Sequence, residues 1–173
     1  PTASAGANQT VCANNNLVTL SGSITGFTST PQWSSSGSGI FSAPLNLNTN
    51  YTPSAADNAA GSVTLSLSTL NNGVCPPVTS TLQVIILPSP TVSAGNNQTV
   101  CATASAALNG TITGATNTGS WSSSGSGTFS PSFNILNPSY FPSAADIAAG
   151  SVTLTLTSTN NQGCFAGTGS VVV

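Results

Sequence analysis

An internal duplication is the feature that most constrains what this chain can fold into. The stretch "PTASAGANQTVC" at Pro1 is answered by "PTVSAGNNQTVC" from Pro90, and Cys12 and Cys101 lie 89 positions apart, as do Cys75 and Cys164. A unit of this length is too long for a solenoid repeat, and it fits an independently folding β-sandwich of the immunoglobulin type, which has roughly 100 residues. We therefore expect an all-β protein of two tandem immunoglobulin-like β-sandwich domains, residues 1–88 and 89–173.

Short runs of alternating apolar and hydroxyl residues, bounded by turn residues, support this fold. In the run from Ser62, residues Val63, Leu65 and Leu67 alternate with serine and threonine, so one face is predicted to be buried. The pattern predicts strands over residues 10–12, 17–23, 31–35, 50–53, 62–70 and 80–87, and in the second copy over 107–113, 119–123, 139–142, 151–158 and 167–173.

The charge content excludes several classes of function. The chain has no Lys, Arg, His or Met, and its only charged side chains are Asp57 and Asp146, for a net charge of −2. Nucleic-acid binding depends mainly on Lys and Arg at the phosphates, so no nucleic-acid partner is expected. No catalytic residues, cofactor or metal are expected, and we predict that the chain is not an enzyme. The longest apolar run, residues 84–87, stops at Pro88, so membrane insertion is not expected either.

The two aspartates occupy the same place in near-identical sequences, "SAADNAAG" and "SAADIAAG". Serine followed by aspartate three residues later is the spacing of a capping box at a helix start. This spacing predicts structural capping by Ser54 and Asp57 and by Ser143 and Asp146. The functional alternative is a calcium ligand, but calcium takes several oxygen ligands and each copy has one carboxylate. Glycosidase-type acid and base chemistry needs a nearby carboxylate pair, which neither copy has.

Trp33 and Trp121 stand where sandwich domains commonly bury a tryptophan against the opposite sheet. We predict that both are core aromatic residues; the alternative is an exposed platform that stacks on sugars. The "SSSGSG" runs at 34–39 and 122–127 have no lysine after them, so a turn between strands is favoured over a phosphate-binding loop.

Four cysteines, Cys12, Cys75, Cys101 and Cys164, are the disulfide candidates. Symmetry favours the intradomain pairs Cys12–Cys75 and Cys101–Cys164. Strand geometry argues against them, because the corner before the second strand and the last hairpin lie at opposite ends of such a sandwich, about 26 Å apart, whereas bridged Cα atoms lie within about 7 Å. An inter-repeat Cys12–Cys164 bond is the other pairing, and free thiols are the third alternative.

The stretches "PTVSAGNNQTVC", "GSWSSSGSGTFSPS" and "YFPSAADIAAGSVTLTLTS" resemble the tandem repeats of SprB-type gliding-motility surface adhesins of Bacteroidota, and more loosely PKD-like immunoglobulin-like modules. This resemblance covers nearly the whole chain. It implies an extracellular, secreted protein of many repeats that forms a stalk or filament at the cell surface and pulls on the substratum. The chain departs from the wider PKD pattern after the tryptophan, where Ser34–Ser36 replace acidic residues.

Two domains joined by the proline-bearing linker at residues 87–90 are expected to form a stiff, elongated rod. The chain opens at Pro1 without a start methionine or signal peptide, so we interpret it as a mature excerpt of a longer protein. The function predicted is a structural stalk repeat of a surface adhesin or filament. Its expected partners are neighbouring repeats of the same chain, other copies in a filament and a surface polysaccharide. The alternative is a glycan- or surface-binding immunoglobulin-like module, which would expose Trp or Tyr in a concave patch.

Overall fold

The chain, seen here in a computed structural model that describes residues 1–26 and 30–173, consists of two compact units, Pro1–Pro88 and Ser89–Val173. We call them repeat 1 and repeat 2. The elements of repeat 1 are β1 (Thr2–Ser4), β2 (Gln9–Cys12), β3 (Val18–Ser21), β4 (Ser23–Thr25), β5 (Thr30–Ser35), β6 (Ile40–Phe41), β7 (Asn48–Thr52), α1 (Ala55–Ala60), β8 (Ser62–Leu70) and β9 (Thr79–Leu87).

Repeat 1 is an immunoglobulin-like β-sandwich. One sheet has the strand order β2-β9-β8-β5, the other has the order β3-β7-β6, and β1 pairs with β4. All pairings are antiparallel except that of β2, which runs parallel to the second half of β9. Parallel neighbours cannot be joined by a tight hairpin, so β2 reaches this edge of the sheet from a distant part of the sequence.

The alternation in β8 shows how the sequence builds the sandwich. Val63, Leu65 and Leu67 are buried on one face, while Ser62 and Thr64 on the other face are exposed. Full burial of each apolar side chain stabilises the fold by about 1.5–3 kcal/mol relative to exposure. The strand predicted over 62–70 has the same bounds as β8.

Apolar side chains from both sheets meet in one core. Trp33 stacks on Phe41 with ring centroids 6.4 Å apart, and Phe41 lies 4.8 Å from the ring of Tyr51. The buried members of this core are Ala5, Val18, Leu20, Trp33, Tyr51, Val63, Leu65, Leu67, Leu82, Val84 and Ile86.

Repeat 2 is also an immunoglobulin-like sandwich. Its elements are β10 (Thr91–Ser93), β11 (Ala106–Ala107), β12 (Thr111–Thr113), β13 (Thr118–Ser123), β14 (Thr128–Ser130), β15 (Ser139–Phe141), α2 (Ala144–Ala149), β16 (Thr153–Thr159) and β17 (Thr168–Val172). Its sheets have the orders β13-β16-β17 and β11-β15-β14, and β10 pairs with β12. Trp121, Phe129 and Tyr140 repeat the aromatic contacts of repeat 1.

Two predicted strands are each divided in the structure: 17–23 into β3 and β4, and 107–113 into β11 and β12, which pair in different sheets. Repeat 2 also differs from the prediction at one edge. We expected a strand from residue 151, but β16 begins at Thr153. Residues 98–101, which match β2 in sequence, form no strand. Within the residues that the structure covers, no helix is long and apolar enough to span a bilayer.

Candidate functional site

The two short helices begin and end as their sequences require. The Ser54 hydroxyl accepts a hydrogen bond from the Asp57 amide, and the Asp57 carboxylate accepts one from the Ser54 amide, which is the reciprocal pair of a capping box. Gly61 closes α1 with a φ of 73°, a left-handed conformation that glycine adopts without strain. In repeat 2, Ser143 and Asp146 make the same capping box.

The Asp57 carboxylate does more than cap a helix, because it is buried and bonded to a distant loop. Its Oδ1 accepts from the Ser38 amide at 3.0 Å, and its Oδ2 accepts from the Gly39 amide at 3.0 Å, the Ser54 amide at 3.0 Å and the Tyr51 hydroxyl at 2.7 Å. We call these five residues the aspartate cluster. One carboxylate thus joins β7, the start of α1 and the loop between β5 and β6.

Tyr51 connects the cluster to the core. Its ring is fully buried. Its hydroxyl donates a hydrogen bond to Asp57 and accepts one from the Gly39 amide at 3.0 Å. Ser35 lies 2.8 Å from the same oxygen, and its hydroxyl donates because the tyrosine proton is already committed to Asp57. The polar end of a core tyrosine is therefore fully satisfied, as a buried hydroxyl requires.

Two glycines of the "SSSGSG" run make room for this arrangement. A Cβ at Gly37 would collide with the Asp57 carboxylate, and a Cβ at Gly39 would lie 2.5 Å from the Tyr51 hydroxyl. The loop can approach the carboxylate this closely only because both positions lack a side chain. The run is a turn that carries amide donors to Asp57.

Repeat 2 contains the same cluster with nearly the same distances. Asp146 accepts from the Tyr140 hydroxyl at 2.7 Å, from the Ser143 and Gly127 amides at 2.9 Å each, and from the Ser126 amide at 3.0 Å. Both charged side chains of the chain therefore serve the same internal role.

Hydrogen bonding sets the ionisation of these groups. Burial of Asp57 acts to raise its pKa, but hydrogen bonds from the Tyr51 hydroxyl and from backbone amides outweigh it, and the pKa lies below its ordinary value. The Ser143 amide and the Tyr140 hydroxyl lower the pKa of Asp146 to about 2. Burial, together with the neighbouring carboxylate, raises the pKa of Tyr51 and of Tyr140.

The chemistry of the cluster suits holding the carboxylate in place. The groups that face Asp57 are amide and hydroxyl donors, whereas a calcium ion would need further oxygen acceptors around it. In the described part of the chain, no three His, Cys, Asp or Glu residues lie together as a metal site would require. The cluster fixes a loop, a strand and a helix end to one another.

Both tryptophans lie in the core. Trp33 is 3% exposed and donates its indole N–H to the Asn46 carbonyl at 3.1 Å. Trp121 is 4% exposed and donates to the Leu136 carbonyl at 3.1 Å. Neither ring is available to stack on a sugar.

The cysteines fall into two kinds. Cys12 and Cys164 are disulfide-bonded, whereas Cys75 and Cys101 are exposed free thiols. Both intradomain pairs are therefore wrong, and Cys12–Cys164 is the predicted pairing that agrees with this assignment. In the sheet of repeat 1, Cys12 lies opposite Leu87 at the end of β9, while Cys75 precedes the start of β9. The nine-residue strand, about 30 Å long, therefore separates Cys12 from Cys75.

Sequence reasoning missed Tyr51 and Tyr140 as partners of the aspartates. The available signal was their constant position, six residues before the aspartate in both copies. It also did not connect the glycines at 37 and 39 with the carboxylate, because the loop and the helix lie far apart in the sequence.

Comparison with known proteins supports the fold. No protein-family model matches the chain, and no curated protein sequence matches it. Titin domains I67–I69 in an E-to-A mutated variant match with a TM-score of 0.57 and 14% identity, over 97% of this chain and 62% of that one. Extracellular domains 3–5 of Drosophila OTK match with a TM-score of 0.51 and 9% identity, over 95% of this chain and 58% of that one. Drosophila N-cadherin EC1–4 matches with a TM-score of 0.50 and 9% identity, over all of this chain and 49% of that one.

This chain thus spans about six-tenths or less of the structures that it resembles. At these identities, the similarity is one of fold. The chain is a pair of tandem immunoglobulin-like β-sandwich domains.

Proposed function

We propose that the chain is a structural stalk segment of a large secreted cell-surface adhesin or filament. In this role the two repeats carry force and set distance, and surface recognition belongs to other parts of the assembly. Neighbouring repeats and other copies in a filament are the partners that this role requires.

The observation that carries the proposal is the use of both carboxylates inside the fold. Asp57 and Asp146 each accept bonds from three amides and a tyrosine hydroxyl, so neither is directed at a ligand. Two repeats that use their only charged side chains in the same buried aspartate cluster present no charged group to a ligand, as expected of a spacer. Each aspartate cluster links a strand, a helix start and a loop of its sandwich by hydrogen bonds, which suits a domain that must resist unfolding.

The main alternative, a glycan-binding module, requires exposed Trp or Tyr rings in a concave patch. Trp33, Trp121, Tyr51 and Tyr140 are each at most 4% exposed. This burial favours the stalk over the lectin.

The cysteines support an extracellular location and a mechanical role. Disulfides persist in oxidising compartments, which include the cell exterior. A Cys12–Cys164 bond would close residues 12–164 into one loop and so limit how far the chain can extend when its ends are pulled. The absence of Lys and Arg also removes every site for trypsin-type proteases.

The part in gliding motility rests on the resemblance to SprB-type repeats. It can be tested with a fluorescent Fab fragment raised against this chain and applied to moving cells of the parent organism. Labels that travel along the cell surface would support the motility role, and labels that stay fixed on moving cells would oppose it.

The stalk and the binding module can be separated with the purified chain. Small-angle scattering of a rod should give a radius of gyration well above the about 16 Å of a single compact globule of this length. Co-sedimentation with cell-surface polysaccharides should leave the chain in the supernatant. A compact radius would oppose the stalk, and saturable polysaccharide binding would favour the module.

A further inference from the structure

Two asparagines of this chain precede a glycine, Asn72 and Asn109. An asparagine at such a place loses its side-chain amide spontaneously when the next backbone nitrogen attacks the side-chain carbonyl carbon and expels ammonia. Glycine favours this attack, because it has no Cβ to crowd the approach and its backbone adopts conformations that other residues avoid. The surroundings of Gly73 and Gly110 therefore decide which asparagine reacts.

Gly73 lies in an open turn. It is exposed, its φ is 64°, and a Cβ added to it would meet no atom within 4 Å. The turn is closed by the Cys75 amide, which donates to the Asn72 carbonyl at 3.1 Å. Because the space around Gly73 is open, its nitrogen can rotate toward the side chain of Asn72.

Gly110 is held in place by its neighbours. It is buried, and its amide donates to the Leu136 carbonyl at 3.1 Å. A Cβ added to it would lie 2.7 Å from the same carbonyl oxygen and 3.0 Å from the Trp121 ring. This hydrogen bond has to break before the nitrogen can attack the side chain of Asn109, so the fold protects Asn109.

Repeat 2 contains the counterpart of Asn72 without the glycine. The counterpart, Asn161, is followed by Gln162, whose φ of 52° keeps the turn left-handed as in repeat 1. Nδ2 of Asn72 donates to the Thr69 carbonyl at 3.3 Å. Nδ2 of Asn161 donates to the Ser158 carbonyl at 3.2 Å. The two side chains are thus held alike, and the residue that follows each of them differs.

The turn of repeat 1 fits an amide better than a carboxylate. Oδ1 of Asn72 is buried, and within the described part of the chain no group donates a hydrogen bond to it. Nδ2 faces the Thr69 carbonyl, which accepts from an N–H but repels a carboxylate oxygen. A carboxylate at position 72 would therefore have one buried oxygen without a donor and the other against a carbonyl, which destabilises the folded turn.

We propose that Asn72 is a site of spontaneous deamidation, whose product is a carboxylate in the turn between β8 and β9. The Gly73 nitrogen loses its proton and bonds to Cγ of Asn72, the bond from Cγ to Nδ2 breaks, and ammonia leaves with that proton. Water then opens the succinimide ring at either carbonyl, which gives aspartate or isoaspartate. Either product adds a negative charge to the chain, and isoaspartate also lengthens the backbone of the turn that the Cys75 amide closes.

Incubation of the purified chain at mildly alkaline pH tests the proposal, because the attacking nitrogen must lose its proton. Chymotrypsin cleaves after Leu70 and Leu108, so mass spectrometry measures the two asparagines in separate peptides, with a chain digested before incubation as the zero point. We expect Asn72 to convert faster than Asn109 by about tenfold or more, since one hydrogen bond corresponds to a factor of this size.

Unfolding in urea is the control for the effect of the fold. Both asparagines precede a glycine, so the two rates should become similar when the packing around Gly110 is lost. No conversion of Asn72 in the folded chain would overturn the proposal. So would a folded Asn109 that reacts as fast as Asn72, or a difference between them that urea leaves unchanged.

An exchange between the repeats tests the role of the following residue. Gly73→Gln copies the turn of repeat 2 and should stop the conversion of Asn72. Gln162→Gly copies the turn of repeat 1 and should make Asn161 convert as Asn72 does. An Asn161 that stays unconverted before a glycine would contradict the proposal, because its side chain is held in the same way.

The variant Asn72→Asp tests the effect of the product on the fold. The melting temperature of repeat 1, followed by Trp33 fluorescence in a Trp121→Phe background, should fall by about 4 °C or more. Asn71→Asp is the matched control, because Asn71 is exposed and the Thr30 hydroxyl beside it can donate to a carboxylate. Equal melting temperatures of the two variants would overturn the effect proposed for the product.

Discussion

The hydroxyl of Tyr51 donates a 2.7 Å hydrogen bond to the carboxylate of Asp57, and both groups are buried. This bond links the aromatic core of repeat 1 to the cap of its helix and to the "SSSGSG" loop. The same bond recurs at 2.7 Å between Tyr140 and Asp146. The arrangement explains why a chain with two charged side chains has one in each repeat at the same place.

Replacing Asp57 with Asn should destabilise repeat 1 by about 1–3 kcal/mol, because an amide cannot accept all of the bonds and leaves buried donors unpaired. Urea unfolding is followed by the fluorescence of Trp33 in a Trp121→Phe background, so that one repeat is observed. Asp146→Asn in the same background is the control and should leave that transition in place. An Asp57→Asn chain as stable as its parent would show that the cluster has no structural role.

Replacing Tyr51 with Phe removes one hydroxyl and keeps the ring in the core. We expect a loss of about 1–2 kcal/mol in the free energy of unfolding of repeat 1. In a double-mutant cycle with Asp57→Asn, the combined loss should be smaller than the sum of the single losses, because both changes break the same bond. Fully additive losses would mean that the two residues act independently.

Alanine at Gly37 should destabilise repeat 1, because its Cβ would displace the Asp57 carboxylate. The loss should reach about 1–3 kcal/mol, as expected when a close-packed site is overfilled. Ser34→Ala is the matched control, since Ser34 lies at an exposed position just before the same loop. A Gly37→Ala chain as stable as Ser34→Ala would contradict the tight approach of the loop to the carboxylate.

Stability should be constant over a wide range of pH. The pKa of Asp146, about 2, is lower in the fold than in the unfolded chain, so its contribution is complete above about pH 5 and is lost as the pH falls through 2. The pKa of Tyr51 is raised in the fold, so its contribution is complete below about pH 10 and is lost as the pH rises further.

Thermal melts across the pH scale check this behaviour. The chain has no histidine, so we expect a flat plateau between about pH 5 and 9. The substitution Asp146→Asn should reduce the fall in the melting temperature of repeat 2 at acid pH. A stability maximum near pH 6 to 7, or an acid limb that this substitution leaves unchanged, would contradict the assignment.

Local patterns in the sequence predicted the local parts of the fold. The alternation around Val63 and Leu65 is a property of a few neighbouring residues, and the predicted strand 62–70 coincides with β8. The serine to aspartate spacing is equally local, and both residues are found in a capping box. The hydrogen bond of Tyr51 to Asp57 depends on how β7 turns into α1, and the approach of Gly37 depends on a loop about 20 residues away, and hydrophobic periodicity reports neither.

The strand edge of repeat 2 shows the same limit. The sequence of residues 151–158 alternates as in repeat 1, yet β16 begins at Thr153. Strand structure depends on a partner as well as on alternation, and the partner of Ser62 is Ile85 of β9. Alternation alone therefore does not set the residue at which a strand begins.

The most direct test of the force-bearing role is to pull single molecules by their two ends with and without a reductant. If Cys12–Cys164 is closed, only residues 1–11 and 165–173 can extend, by about 70 Å in total. After reduction, the whole chain should extend by about 600 Å in two steps, one for each repeat. Mass spectrometry of a chymotryptic digest provides the control, with the Cys12 peptide joined to the Cys164 peptide. Full extension without reductant, or a Cys12 peptide joined to Cys75, would contradict the account.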